Sequence, residues 1–201
     1  MEISISATNL NNGGKIFAII MTLPYNEIPA NKSKLYPYPS NLNHVAVSVT
    51  NIEDVIAWYT KVLGFNVVKP PFEAVADDTH IGKIFQDVFG KDFKKLKIAH
   101  LSFGNQIGFE VFEFIEPKEE KREDNFEYWK TGFFHICITD PNIEETTERI
   151  VGSGGKQRTQ IWELTNGKPF KVVSCEDPFG NIIDIYTHGY EYLWRSENYQ
   201  K

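Results

Sequence analysis

The sequence predicts an α+β fold in which two βαβββ modules form a curved mixed sheet, preceded by an N-terminal arm. The main observation is an internal repeat, in which two alternating strand patterns each lead into an asparagine that can cap a helix. A second observation is that each helix pattern ends near a glycine. Equivalent residues of the two copies are 91 positions apart: His44 and His135, Asn51 and Asn142, Gly64 and Gly155.

The composition suits a compact protein that does not bind nucleic acid. Of the 201 residues, 41% are hydrophobic and 14% are aromatic, which is enough for a buried core. The net charge is −6 and no basic stripe is present, so the electrostatic footprint of a nucleic-acid partner is missing.

Cysteine usage and hydropathy predict a cytoplasmic protein with no membrane partner. Cys137 and Cys175 form no CxxC pair, which favours a reduced setting. The apolar run at 16–23 is too short to span a bilayer, and it lacks the flanks of a signal peptide. We therefore interpret this run as an added edge strand or a packed arm.

The element pattern divides the chain into five segments. A polar start, the apolar run and three prolines indicate an arm, and a charged stretch between the modules indicates a linker. The predicted boundaries are 1–40 for the N-terminal arm, 41–116 for the first module, 117–132 for the linker, 133–188 for the second module and 189–201 for the C-terminal tail.

The first module begins with an alternating strand at 42–49, in which the valines share one face and His44 lies on the other. Asn51 then begins a helix that Gly64 ends. The other predicted elements are a strand at 65–68 closed by Pro70–Pro71, an inserted helix ending at Gly90, and strands at 96–103 and 107–115 that turn at Gly104–Asn105.

The second module repeats this order without the inserted helix. Its first strand, at 133–139, places His135 and Cys137 opposite the isoleucines. The other predicted elements are a helix at 142–151, a strand at 157–163, and strands at 169–175 and 181–187 joined by a type I turn at Asp177–Gly180.

Four residues with metal-binding side chains hold equivalent places in the two modules. His44 and His135 lie in the first strands, and Glu110 and Asp184 lie between apolar neighbours in the last strands. Alternation places all four on the sheet face that the helix does not cover. In one module alone, a core histidine and a solvated carboxylate would be the simpler interpretation. Their duplication favours a metal-binding cavity.

The donor types narrow the choice of ion. Imidazole nitrogens and carboxylate oxygens suit one divalent metal ion such as Zn²⁺, Ni²⁺, Co²⁺, Fe²⁺ or Mn²⁺. Four protein ligands also leave coordination positions open for water or substrate, which metal-assisted catalysis requires.

The sequence around these residues resembles the vicinal oxygen chelate superfamily, which includes glyoxalase I, methylmalonyl-CoA epimerase, extradiol dioxygenases and antibiotic-resistance proteins. The resemblance implies paired βαβββ modules around a metal, with His44, Glu110, His135 and Asp184 at its four ligand positions. The matching segments, within 42–187, are LNHVAVSV at 42–49, WYTKVLGF at 58–65, GFEVFEF at 108–114, FFHICITD at 133–140 and EDPFGNIIDIY at 176–186.

This ligand set most resembles that of glyoxalase I with His at the first position. The resemblance implies a lactoylglutathione lyase-like reaction with Glu110 and Asp184 as the catalytic carboxylates. One carboxylate moves a proton between adjacent carbons, and the metal offsets the developing oxyanion charge. Ser48 and Phe114 stand where glyoxalase I has the Arg and Asn that contact glutathione. We therefore expect a substrate other than, or besides, the glutathione adduct.

The expected partner is a small molecule that carries vicinal oxygens. Two alternatives stay open: an extradiol-type dioxygenase that uses Fe(II) or Mn(II), and a protein that sequesters a small molecule. The modules pair either within one chain or across a homodimer. The candidate substrate-binding residues are Ser48, His100, Phe112, Phe114, Cys137, Tyr186 and His188.

Overall fold

A computed structural model describes residues 5–9, 15–19, 40–124 and 126–196. The chain divides into two compact units, residues 1–41 and 42–201. In the first unit, β1 (Ile5–Asn9) pairs antiparallel with β2 (Lys15–Ile19). The start of the apolar run is therefore a strand, and the rest of the predicted arm lies outside the described residues.

The first module forms a four-stranded mixed sheet in the order β3-β6-β5-β4. Here β3 runs parallel to β6, and the other neighbours are antiparallel. The strands are β3 (His44–Ser48), β4 (Asn66–Val75), β5 (Lys95–Ser102) and β6 (Gly108–Glu116), and the helices are α1 (Ile52–Leu63) and α2 (His80–Phe89).

One prediction for this module was wrong. The second strand does not close at Pro70–Pro71, because β4 continues through both prolines to Val75. The register against β5 shifts on both sides of Lys69. Since β4 is the edge strand, its prolines need no partner for the missing N–H groups.

The second module forms a five-stranded mixed sheet in the order β7-β11-β10-β8, with β9 also paired to β10. Here β7 runs parallel to β11. The strands are β7 (Ile136–Thr139), β8 (Lys156–Gln157), β9 (Trp162–Glu163), β10 (Lys171–Glu176) and β11 (Ile182–Tyr186), and the helices are α3 (Ile143–Gly152) and α4 (Tyr190–Trp194).

The predicted α+β class with duplicated modules is confirmed, and each module builds its own mixed sheet. Three details differ from the prediction. The strand expected at 157–163 consists of the two short strands β8 and β9, His135 immediately precedes β7, and α4 lies in the predicted tail.

The two helices that repeat in the modules begin differently. Asn51 caps α1 as predicted, because its side chain accepts a hydrogen bond from the Asp54 N–H. Glu113 on β6 accepts a further bond from the Ile52 N–H. Asn142 makes no such cap at α3, where Asp140 instead accepts from the Asn142 N–H. Similar sequence therefore yields two different helix starts.

Both modules bury their helix-covered sheet faces in one core. Contributors from the first module include Phe109 and Val111, and those from the second include Ile183 and Ile185. The helices α1 and α3 pack against each other within this core. The indole N–H of Trp58 on α1 donates to the carbonyl oxygen of residue 153, which follows α3, at 2.9 Å. The sheet faces that α1 and α3 leave uncovered consequently lie on the sides turned away from the shared core, and we call these the uncovered faces.

A buried carboxylate connects the modules through hydrogen bonds. Asp177, 1% exposed, accepts from the Tyr59 hydroxyl at 2.7 Å. It also accepts from the side-chain amide and the backbone N–H of Asn181, and from the Phe179 N–H. Burial raises the pKa of Asp177, while its hydrogen bonds with Asn181 and Tyr59 act in the opposite direction. Burial, followed by the charge of Asp177, raises the pKa of Tyr59.

We expect Tyr59→Phe to lower the free energy of unfolding by about 1 to 3 kcal/mol, because a buried carboxylate loses a donor. The folded-state pKa of Asp177 is raised, so its contribution to stability falls as the pH rises through that pKa. The Tyr59 hydroxyl favours the charged form of Asp177, so removing it makes the free energy of unfolding fall more steeply with rising pH. The cost of the substitution should therefore be larger at neutral pH than in acid, as measured by urea unfolding.

Tyr190→Phe is the matched control, because Tyr190 is 78% exposed. It should change the free energy of unfolding by less than about 0.5 kcal/mol. Equal effects of the two substitutions would contradict a connecting role for Tyr59.

Candidate metal centre

The first sheet holds a His–Glu–His cluster on its uncovered face. The Nε2 atom of His44 lies 3.5 Å from Oε2 of Glu110, and Nδ1 of His100 lies 3.2 Å from Oε1 of the same carboxylate. Asn43 contacts the other ring nitrogen of His44 through its Oδ1 at 2.8 Å. All three charged or titratable side chains are partly exposed, so an ion or a substrate can reach them.

The second sheet holds the equivalent pair at its own uncovered face. The Nε2 atom of His135 lies 3.8 Å from Oδ2 of Asp184. Cys137 lies directly opposite Asp184 in the register of β7 and β11. Burial, with a smaller effect of the Asp184 charge, raises the pKa of the Cys137 thiol to about 12. Burial also raises the pKa of Tyr186, with further effects of Cys137 and Asp184.

One chain does not bring the two pairs together. Each histidine has a carboxylate within 4 Å only in its own module, as far as the chain is described. Among the described residues, no group of three or more His, Cys, Asp or Glu side chains is placed to hold a metal ion. The structure thus contains two half-sites, which we define as His44–Glu110 and His135–Asp184.

The donors of each half-site fit a divalent ion in kind, and those of the first half-site also fit in spacing. Bonds of about 2.1 Å from one ion to a nitrogen and an oxygen place those two atoms about 3 to 3.5 Å apart. The separation in the first half-site falls at this limit, and that in the second is slightly wider. An ion needs more ligands than either pair supplies.

Two of the predicted substrate-binding residues lie beneath α2. Phe112, 8% exposed, belongs to a second core cluster formed by α2 on the uncovered face of the first sheet. Phe114 packs against this cluster, and the Phe89 ring lies 5.9 Å from that of Phe112 and 5.1 Å from that of Phe114. Ser48 is exposed on β3, directly opposite Phe112 on β6.

His188 lies beyond the end of β11 in an aromatic cluster. Its ring stacks on Tyr192 of α4 at 5.7 Å and meets Phe170 edge-on at 4.8 Å. The Thr187 hydroxyl contacts its Nδ1 atom at 2.8 Å. These contacts fix the ring beside the second sheet.

Sequence reasoning missed two features of the site. It did not place α2 over the uncovered face, although the stripe of Ile81, Ile84, Phe85 and Val88 predicted the helix itself. It also did not pair His100 with Glu110. The alternation of β5, in which Leu96, Ile98 and His100 share a face, could have indicated that His100 lies on the same face as Glu110.

A cavity of about 400 Å³ lies apart from both half-sites, between the linker and the turn after β10. Its wall carries four basic and three acidic side chains, and Glu176 already pairs with Lys156 and Arg158. Because these charges nearly balance, we assign no chemistry to this cavity. The cavity is lined by Lys121, Arg122, Glu123, Asp124, Phe126, Lys156, Arg158, Glu176, Pro178, Phe179 and Gly180.

The family comparison matches the part of the chain that carries both half-sites. The model of the Glyoxalase/Bleomycin resistance protein/Dioxygenase superfamily matches residues 41–185. The chain belongs to this superfamily. The match to this glyoxalase-superfamily protein runs from before β3 to the next-to-last residue of β11, whereas α4 lies outside it.

Solved structures agree at the level of the fold. A glyoxalase family protein from Bacillus cereus has a TM-score of 0.62 at 15% identity, covering 76% of this chain and 97% of that one. A glyoxylase/bleomycin resistance protein/dioxygenase domain from Frankia sp. EAN1pec has a TM-score of 0.51 at 15% identity, covering 78% and 98%. Glyoxalase I from Zea mays has a TM-score of 0.51 at 18% identity, covering 74% of this chain but 45% of that one.

The comparison with curated proteins found no match to this chain. Within the described residues, no helix has both the length and the apolar character needed to cross a membrane.

The backbone at Gly108 leaves no room for a side chain beside His44. A Cβ atom there would lie 2.8 Å from the Cβ atom of His44. We expect Gly108→Ala to displace His44 and to lower the free energy of unfolding by about 1 to 3 kcal/mol, as measured by urea unfolding. Gly104→Ala is the control, because a Cβ there meets nothing within 4 Å. Equal stability of the two variants would contradict close packing at His44.

Proposed function

We propose that this protein is a metal-dependent enzyme of glyoxalase type, and that each metal centre is built from two copies of the chain. It would act as a lyase or isomerase that transfers a proton on a small substrate with vicinal oxygens. The observation that carries the proposal is the presence of one imidazole–carboxylate pair on the uncovered face of each sheet. Four such donors match the needs of a divalent ion, and two do not.

Free sheet edges beside both histidines support a shared centre. In the described part of the chain, β3 and β7 each lie at the end of their sheet with one neighbour. His44 is the first residue of β3, and His135 immediately precedes β7. An unpaired strand edge is a template for another strand. A two-fold dimer that places β3 of one copy near β7 of the other would join unlike half-sites twice.

Exposed apolar side chains next to these edges also support a centre shared between two copies. Leu42, two residues before β3, is 60% exposed. Phe133 and Phe134, just before β7, are also exposed. Such groups are typical of surfaces that a partner covers. We expect the second copy to bury them.

Proton transfer is the chemistry that these residues can perform. A bound divalent ion would stabilise negative charge on vicinal substrate oxygens. Glu110 and Asp184 are partly exposed carboxylates on the faces that would meet, so either can accept or return a proton at an adjacent carbon. His44 and His135 complete the donor set. The aromatic cluster beneath α2 narrows the space beside Glu110, which favours a small substrate.

A heterodimer of two single variants tests the shared centre. One chain would carry His44→Ala and the other His135→Ala, with different affinity tags for purification of the mixed dimer. If the half-sites belong to different chains, one of the two centres in the heterodimer keeps all four ligands. We expect each variant alone to retain little metal, and the heterodimer to bind about half the metal of the wild-type dimer.

Elemental analysis after dialysis against a defined metal buffer gives the readout. Recovery to about half of the wild-type content would exclude a centre formed within one chain, because neither chain then has an intact ligand set. No recovery in the heterodimer, with metal bound by the wild type, would contradict the two-copy arrangement.

The proton-transfer role of Glu110 can be tested by isotope exchange. A screen of vicinal dicarbonyl and hydroxycarbonyl compounds in D₂O should find one that gains deuterium at a carbon next to an oxygen. Glu110→Gln should reduce this exchange by at least about 100-fold, because general acid–base catalysis contributes about 10²–10⁴-fold. Glu116→Gln is the control, since Glu116 is exposed at the end of the same strand.

Other outcomes of the same screen separate the alternatives. Oxygen consumption with a catechol and Fe(II) would favour a dioxygenase over proton transfer. A wild-type protein that binds small molecules but no divalent metal would contradict the enzyme proposal and favour sequestration.

A further inference from the structure

We propose that His100 is a positioning residue that holds the Glu110 carboxylate in the orientation needed to bind metal. This inference rests on the proposed function, because it concerns how one proposed ligand is held. His100 lies directly opposite Glu110 in the register of β5 and β6. Its Nδ1 atom lies 3.2 Å from Oε1 of Glu110. His44 contacts the other oxygen, Oε2.

The imidazoles of His44 and His100 contact different oxygens of the Glu110 carboxylate. His44 lies on the edge strand β3, whereas His100 lies on β5, one strand further into the sheet than Glu110. The Oε2 atom therefore faces the edge where a second copy would bring His135 and Asp184. His100 contacts the oxygen on the opposite side, at 3.2 Å. Ligating carboxylates are commonly held by an outer partner of this kind, which fixes the rotation of the carboxylate group.

The His100 ring is itself held in place by neighbours on the same sheet face. The Phe72 ring stacks on it at 6.0 Å with an angle of 23°. The Lys69 ammonium group lies over the Phe72 ring, 3.7 Å from the ring centroid. Phe72 in turn packs against the core cluster that α2 forms. The insertion that carries α2 thus supports the ring, and the ring supports the carboxylate.

The geometry favours positioning over direct ligation. His100 is turned to the carboxylate oxygen that lies away from the free edge, where the second copy would supply the other ligands. A hydrogen-bond donor at the place of Nδ1 should therefore be sufficient. The side-chain amide of asparagine supplies such a donor, whereas phenylalanine keeps the stacking ring without one.

The test compares Co²⁺ binding by wild type, His100→Phe and His100→Asn, with His80→Phe as the matched control at an exposed position. Titration calorimetry gives the affinity, and the visible spectrum of bound Co²⁺ reports the ligand geometry. We expect His100→Phe to bind about 10- to 100-fold more weakly with a shifted spectrum. His100→Asn should recover to within a few-fold of the wild type, and His80→Phe should match it.

Two results would overturn the positioning role. Wild-type affinity and spectrum in His100→Phe would show that Glu110 needs no support from this ring. An equal loss in His100→Phe and His100→Asn, with unchanged unfolding curves, would identify His100 as a direct ligand. If the wild-type protein binds no Co²⁺, the proposed function fails first. If it binds Co²⁺ and only the His100 variants behave unexpectedly, this inference alone fails.

Discussion

The central constraint on this fold is that each sheet can bury only one of its two faces in the shared core. Side-chain alternation commits Phe109, Val111, Ile183 and Ile185 to that core. The residues between them must then face outwards, and those residues include Glu110 and Asp184. Packing the modules through their helices thus explains why both half-sites are accessible and why one chain leaves them separate. The buried carboxylate of Asp177 ties the two halves of this arrangement together.

Much of this organisation could be predicted because it depends on local chemistry. Alternation placed His44 on the correct face, Asn51 marked the helix start, and Gly64 adopts the positive φ of 70° that ends α1. The contacts that decide the site are long-range. No pattern near residue 85 indicates that α2 folds back over Phe112, and no pattern near Asn142 indicates that α3 begins without a side-chain cap. Such choices depend on which surfaces meet in three dimensions.

The first half-site differs from the second in how much support surrounds it. Glu110 has two histidine neighbours and lies beside a covered aromatic cluster. Asp184 has one histidine neighbour and lies opposite the exposed thiol of Cys137. A duplicated module has therefore become asymmetric in its chemistry. In the proposed metal centre, the two carboxylates would therefore differ in the number of side chains that hold them.

The prolines of β4 have a consequence for assembly. Pro70 and Pro71 lack N–H donors, so the outer edge of the first sheet cannot offer a complete ladder to another strand. The opposite edge, at β3, has no such block. Among the described strands, the β3 edge of this sheet is therefore a more complete template for an added strand than the β4 edge.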